Sequence, residues 1–264
     1  MIISVTTAKS LLLESAIDSW RQWGAGLGSR PLILGSLGGG RSNRSFLLES
    51  EGVKMVLRLN RADALLPGSN RASEIEIWQA ASDQGIAPSL LHVDENNRYL
   101  VSTYIETTLP EQPQLDEGLI GQVFGLLKRC HRLDIEVTCI DYMGHIEQYW
   151  EIIESNNRIS NPGLRELRQG MQVMLEDLLN SDTPTGLCHH DPVIANFVGS
   201  TERLYLIDWE YAAQGLLVMD YAALGIEWGI DDATMVARSG MEPGLLEMAK
   251  SLYCYMCDLW GEVT

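Results

Sequence analysis

The sequence predicts an α+β chain in two lobes, a small antiparallel-sheet lobe over residues 1–105 and a larger, mainly helical lobe over 106–264. Three observations carry that expectation. Short apolar or alternating runs, broken by Gly-rich and Glu-Gly turns, crowd the first part of the chain. A polar, proline-bearing stretch from Glu106 to Gln114 interrupts them. Beyond it the apolar residues recur at helical spacing.

Taken in order, the opening MIISVTTAKSLLLESAIDSW has no basic leader before a long apolar run, and Glu14 and Asp18 interrupt it, so no targeting segment is expected. It reads as an amphipathic helix with Thr7 as N-cap and Leu12, Leu13, Ala16, Ile17 and Trp20 on the buried side. Pro31 to Leu37, Arg44 to Ser50 and Val53 to Leu59 read as strands of an antiparallel meander. A helix follows from about Ala72 to Gln84, with Ile75, Trp78, Gln79 and Ala81 at helical spacing and Gly85 as its stop. Pro88 to Val93 and Tyr99 to Tyr104 pair across the turn Asp94 to Asn97. In the second lobe Asp116 caps a helix to about Leu133, striped by Leu119, Ile120, Val123, Phe124, Leu127 and Cys130. Another helix spans Gly163 to Leu179, and Gly186 to Cys188 and the run LYLID, which ends at Asp208, read as strands.

Composition sets outer bounds. A chain of 264 residues, 45% hydrophobic, buries a substantial core. Its five cysteines are scattered and odd in number, as expected of reduced thiols in the cytoplasm. Cys254 and Cys257 form a CxxC in an apolar, helical stretch, where core packing is the favoured reading. No apolar run is long enough to insert in a bilayer. A formal charge of −17 argues against nucleic acid as a partner and suits a cationic substrate.

The stretch from Leu187 to Trp228 carries the chemistry. Asp191 sits on a short loop after an apolar strand, Asn196 follows five residues later, and Asp208 closes the next strand. That is the layout of a kinase site: one carboxylate takes the proton of an attacking hydroxyl, while an amide and a second carboxylate hold Mg2+ against nucleotide phosphates. The small lobe supplies the complement. Gly38, Gly39 and Gly40, between two strands, let the backbone present N–H donors to phosphates, and Ser42 and Asn43 add side-chain donors. Arg58 is a cation inside an apolar strand and needs an anionic partner. Glu74 on the next helix is the candidate, with a solvated position, as for Glu76, the alternative; Lys54 on the same strand face is the other possible phosphate ligand.

Five stretches carry a family resemblance: Gly39-Gly40-x-Ser42-Asn43-x-x-Phe46, Val56-Leu57-Arg58, His189-x-Asp191 with Asn196, Ile207-Asp208-Trp209-Glu210-Tyr211, and Asp220 followed by Glu227-Trp228. On these residues the chain, from about Ile33 to Trp228, resembles the choline and ethanolamine kinases and the wider aminoglycoside phosphotransferase group, which share the protein-kinase-like fold. Aminoglycoside, thiamine and homoserine kinases share the first four to varying degree. The fifth resembles the spacing of choline and ethanolamine kinases, and Asp191-Pro-Val-Ile-Ala-Asn196-Phe197 is most similar to bacterial choline kinases.

The resemblance implies an ATP- and Mg2+-dependent small-molecule kinase. Asp191 would be the base, Asn196 and Asp208 the magnesium ligands, and Tyr104 with Ile105 the hinge whose backbone meets adenine. Glu227 and Trp228 would lie on the substrate side. A quaternary ammonium is held by aromatic faces and a carboxylate, which Trp228, Glu227 and Glu210 would supply, with Tyr142, Tyr149, Trp150, Tyr253, Tyr255 or Trp260 closing the pocket. Asp220 is expected to cap a helix and hold the active-site loops, and His189 to orient one. Two departures stand out. Val193 replaces a polar residue of eukaryotic choline kinases, and the stretch after Trp228 is shorter than the helices that carry much of their aromatic cage. Choline or ethanolamine is the leading acceptor, thiamine and an aminoglycoside are competitors, and a catalytically silent nucleotide-binding relative is the alternative of a different class.

Overall fold

A computed structural model describes residues 5–38, 43–60, 71–156 and 159–264, with side chains of the first two helices from residues 11 and 73 onward. The chain divides into two compact units, Met1–Leu66 with Ser82–Glu106, and Pro67–Ala81 with Thr107–Thr264.

The first unit is one five-stranded antiparallel sheet with a helix packed on it. Its strands are β1 (Leu32–Leu37), β2 (Asn43–Ser50), β3 (Val53–Asn60), β4 (Leu90–Val93) and β5 (Tyr99–Thr103), in the order β1-β2-β3-β5-β4. Period-two alternation sorts the residues: Phe46 and Leu48 of β2 and Met55, Leu57 and Leu59 of β3 are buried with Ala16, Ile17 and Trp20 of helix α1 (Val5–Asp18). Each large apolar side chain buried there contributes about 1.5–3 kcal/mol. β2 and β3 join by two residues between the paired Ser50 and Val53. Glu51 and Gly52 both take positive φ, 53° and 82°, the mirror-image turn whose twist suits a hairpin. Helix α1 begins at Val5, so Thr7 lies inside it and does not cap it; the Thr7 side chain is outside the described residues.

The second unit holds most of the helices. Helix α2 (Arg71–Asp83) belongs to it up to Ala81 and buries Glu74, Ile77, Trp78 and Ala81. Helix α3 (Glu117–Cys130) starts as expected, with Asp116 Oδ1 accepting from Leu119 N at 2.8 Å, and stops at Cys130. Helices α4 (Tyr142–Asn156) and α5 (Gly163–Leu179) follow. Two small two-stranded sheets then carry the polar loops: β6 (Thr185–Cys188) pairs with β9 (Ala213–Leu216), and β7 (Phe197–Ser200) forms a hairpin with β8 (Arg203–Leu206). Helix α6 (Leu217–Trp228) is buried on nearly all sides and forms the centre of the unit. Helices α7 (Asp232–Ser239) and α8 (Pro243–Val263) close it, and Trp150 of α4 donates its indole N–H to Tyr255 of α8 at 2.9 Å. The sequence reading did not identify α4 or α7. Among the described residues no helix is long and apolar enough to cross a membrane.

Candidate active site

The loop after β6 and the loop after β8 are tied to each other by their own backbone and ring groups. Ile207 N donates to Asn196 O at 3.0 Å, and Ala212 N to Trp209 O at 3.0 Å. His189 Nε2 lies 3.0 Å from Ile207 O, and His190 Nδ1 lies 3.1 Å from Tyr211 O. A carbonyl only accepts, so each of these ring nitrogens carries the proton. His190 Nε2 is then the acceptor for the Tyr142 hydroxyl at 2.8 Å, and the same hydroxyl oxygen accepts from Leu216 N at 3.1 Å. Tyr142 therefore supports the loop from the core. Burial lowers the pKa of both histidines, the Asp220 carboxylate opposing it, which keeps them neutral.

Beneath them stands Asp220, in the first turn of α6 and fully buried. Its Oδ2 accepts from His189 N at 2.8 Å and from His131 Nε2 at 2.9 Å, and its Oδ1 accepts from His190 N at 2.7 Å. Burial alone would raise its pKa, but the His131 hydrogen bond holds it at about 2. The expectation that Asp220 holds the loop is what these contacts describe; it does not cap a helix, since it lies inside α6 and its oxygens are spent on the histidines. With these contacts made, His190 sits at φ 63°. Asp208 also sits in the left-handed region, at φ 65°, beyond β8 and not at its end as the LYLID run suggested. A non-glycine residue pays about 1–3 kcal/mol for such a conformation, and such outliers cluster at functional sites.

Gly215 of β9 is required where it is. A Cβ there would lie 2.6 Å from Tyr142 Oη and 2.7 Å from His190 Nε2, inside the hydrogen bond between them. Gly215→Ala is expected to cost about 1–3 kcal/mol, read as a lower urea midpoint, and to reduce turnover by displacing His190.

The loops bring Asp191, Asn196 and Asp208 together. Asn196 Nδ2 donates to Asp191 O at 2.9 Å and to Asp191 Oδ2 at 2.8 Å, which leaves Asn196 Oδ1, an acceptor, for other use. Burial and then the Asp208 carboxylate raise the Asp191 carboxyl; the Asn196 hydrogen bond opposes them, and Glu227 and Asp220 add to the rise, which reaches about 6. So much negative charge at one point fits a cation. The oxygens of Asn196 and Asp208 are hard donors of the kind Mg2+ takes.

Four of the six aromatics offered as pocket walls are core residues: Tyr142, Tyr149, Trp150 and Tyr255 are all buried. Trp228 is buried as well, its indole N–H on Pro192 O at 3.1 Å and its ring edge-on to Phe197 at 4.9 Å, so it braces the Asp191 loop. Helix α8 supplies what remains. Tyr253 donates its hydroxyl to Glu227 Oε1 at 2.9 Å. Trp260, two helical turns on, hydrogen-bonds Tyr211, whose phenol is pushed well above its usual range by burial and then by Glu210, with Asp191 contributing. Cys257 faces the same group: partial burial of its thiol raises it, the neighbouring Tyr253 side chain opposes, and Glu227, Cys254 and Asp191 carry it to about 11. As whole residues Cys254 and Cys257 are exposed on α8, and not the core packing expected of them, although the Cys257 thiol itself is turned against Tyr253 and Glu227. Beside Glu227 opens a cavity of about 390 Å3 walled by Thr107, Leu109, Glu111, Val193 and Ile194. A second concavity, of about 560 Å3 between Ser73, Glu76, Thr138 and Gln214, contains none of the candidate residues.

In the first unit Arg58 is buried on β3, with Nε donating to Asn60 Oδ1 at 3.1 Å. Asn43 is buried at the start of β2. Lys54, on the same face of β3 as Arg58, is exposed and lies over the Tyr104 ring at 5.8 Å, and Tyr104 N donates to Lys54 O at 3.4 Å. Ile105 follows, half-buried. Glu74 is buried in the second unit, on α2. Gly39, Gly40 and Ser42 lie outside the described residues.

Comparison with known proteins agrees with this chemistry. The sequence profile of the phosphotransferase enzyme family matches residues 34–246. Protein LicA of Haemophilus influenzae is 25% identical over 189 residues, which is 70% of this chain and 56% of that protein, so the match spans little more than half of LicA. Thiamine kinase of Escherichia coli O1:K1 / APEC is 27% identical over 230 residues, 85% of this chain and 74% of that enzyme. Among solved structures, choline kinase LicA from Streptococcus pneumoniae superposes with a TM-score of 0.75 at 20% identity, covering 96% of this chain and 89% of that one. The fold is therefore the protein-kinase-like fold, with an antiparallel-sheet unit and a mainly helical one.

Proposed function

The chain belongs to the phosphotransferase enzyme family, and within it we propose that it transfers the γ-phosphoryl of ATP to the hydroxyl of a small cationic alcohol, choline or ethanolamine first. The observation that carries this reading is the grouping of Asp191 with Glu227, Glu210, Tyr211, Tyr253 and Trp260, a charge-and-aromatic setting suited to an ammonium beside a group able to take a hydroxyl proton.

In this reading Asp191 is the base that orients and deprotonates the attacking hydroxyl. Asn196 Oδ1 and the Asp208 carboxylate hold Mg2+, which when bound neutralises phosphate charge. On the nucleotide side, Gly39, Gly40, Ser42 and Asn43 present donors to phosphate, Arg58 adds its cation, and the backbone of Tyr104 and Ile105 meets adenine. Residues 1–105 form the nucleotide-binding lobe and 106–264 the catalytic and acceptor lobe. Glu227 and Glu210 attract the acceptor cation, and Trp228 acts on the same side by fixing Pro192. The enzyme works in the cytoplasm.

A second reading, thiamine as acceptor, is favoured by the match to thiamine kinase over 85% of the chain. A silent nucleotide-binding relative is disfavoured, since Asp191, Asn196 and Asp208 are all present. The test is ADP release from Mg-ATP with choline, ethanolamine, thiamine or kanamycin, run beside Asp191→Asn. Choline or ethanolamine is expected to raise turnover well above that variant. If ATP binds and no acceptor does so, the kinase reading is wrong; if thiamine alone does so, the acceptor is.

A further inference from the structure

An N-methylated, quaternary ammonium has no N–H, so charge and aromatic surface hold it, whereas a primary ammonium brings three N–H donors and loses affinity for each that finds no acceptor. The supply of acceptor atoms beside Asp191 therefore separates the two kinds of alcohol. Glu227 is the half-buried carboxylate there, one residue before the end of α6. One of the roughly four lone-pair sites of this carboxylate is already occupied, since Tyr253 donates its hydroxyl to Oε1 at 2.9 Å. That donor is not lost by ionisation. Burial first, then the Cys257 thiol and the Glu227 carboxylate, push the Tyr253 phenol well above its usual range, so it keeps its proton at any working pH. Tyr253 and Cys257 lie one turn apart on α8 and Trp260 almost one turn further, so a single face of that helix meets Glu227 and Tyr211.

Resting on the cationic-alcohol reading above, we propose that Tyr253 sets acceptor selectivity: by holding Glu227 Oε1 it leaves the carboxylate its charge but one acceptor short, which favours an N-methylated ammonium over a primary one. Tyr253 is a positioning residue in this account. It acts through Glu227 and takes no part in proton or phosphoryl transfer.

The variant that isolates the effect is Tyr253→Phe, which keeps the ring and its packing and frees Oε1. Steady-state kinetics with choline and with ethanolamine give the ratio of their kcat/KM values. Wild type is expected to prefer choline, and Y253F to lower that ratio about three- to tenfold, through a lower KM for ethanolamine with kcat for both alcohols little changed. A loss of general packing would lower both kcat/KM values together and leave the ratio where it was. Glu227→Gln is the companion variant: it removes the charge that both alcohols share, and KM for choline is expected to rise about tenfold or more. An unchanged ratio in Y253F, or an unchanged choline KM in E227Q, overturns the inference while the kinase reading stands. Turnover of neither alcohol by the wild-type enzyme overturns that reading and the inference with it.

Discussion

Asp191→Asn is expected to reduce phosphoryl transfer by about 10²–10⁴-fold, the range typical of a lost general base, and yet to make the protein more stable. The second half follows from the raised carboxyl. Its pKa in the folded chain is about 6, against an ordinary 3.8, because burial and Asp208 outweigh the Asn196 hydrogen bond. A group raised in this way contributes stability that is fully present below its unfolded value and lost as pH rises through its folded one. At pH 7 the ionised side chain therefore works against folding, by up to about 3 kcal/mol, and by about 1–2 kcal/mol once its partial exposure to solvent is allowed for. An amide in its place removes that repulsion and can still accept from Asn196. Urea unfolding without divalent ions should show the gain at pH 7 and show it shrink as pH falls from 6 toward 4. A variant less stable than wild type at pH 7 would mean that the charge cluster is compensated in the free protein.

Asp220→Ala is expected to have the largest effect on stability. It strips the acceptor from His189 N, His190 N and His131 Nε2 at once, all in the interior. Breaking such a network costs about 3–5 kcal/mol, a large part of what a domain has. Activity should fall with it, because the same three contacts hold His190 at φ 63° and so aim Asp191. The pH dependence has a definite sign. Asp220, depressed to about 2, contributes stability that is present above its ordinary 3.8 and is lost as pH falls through 2. His189 and His190, lowered by burial, contribute stability present above their ordinary 6.5 and lost as pH falls below it. Thermal melts of wild type from pH 7 to 5 should report the histidines, partly offset by Asp191. A D220A chain that melts with wild type would remove Asp220 from its place as the support of the loop.

How much of this was legible beforehand follows the range of the interaction involved. The strands of the first unit were found within a residue or two, since alternation around Phe46, Leu48, Met55 and Leu57 and the turn at Glu51-Gly52 are local signals. Asp116 as a cap, three residues ahead of its partner Leu119, was local too. That Asp191, Asn196 and Asp208 come together is readable from the sequence because two short loops carry all three. What sequence could not show was which aromatics face the site. Tyr142, placed among the wall candidates, touches His190 and Leu216 from 48 and 74 positions away, and no pattern near Tyr142 signals it. Trp228 has the same side chain whether it lines a pocket or, as it does, sends its N–H to Pro192 O. The seven-residue interval from Tyr253 to Trp260, with Cys257 between, was the available signal that one face of α8 meets the site. It was obscured because Tyr255 and Leu259 form an equally good buried face. The left-handed turn at Asp208 was hidden by an apolar run that continues past the end of β8.

The central claim is that phosphate leaves ATP for an alcohol beside Asp191, and phosphorus NMR of Mg-ATP turnover with choline and ethanolamine tests it most directly. The account predicts that the γ-phosphate signal is replaced by that of an alcohol phosphate ester, at a rate that depends on the alcohol and falls about 10²–10⁴-fold in Asp191→Asn. Conversion to inorganic phosphate at the same rate with or without alcohol, or an ester formed equally well by the variant, would contradict it.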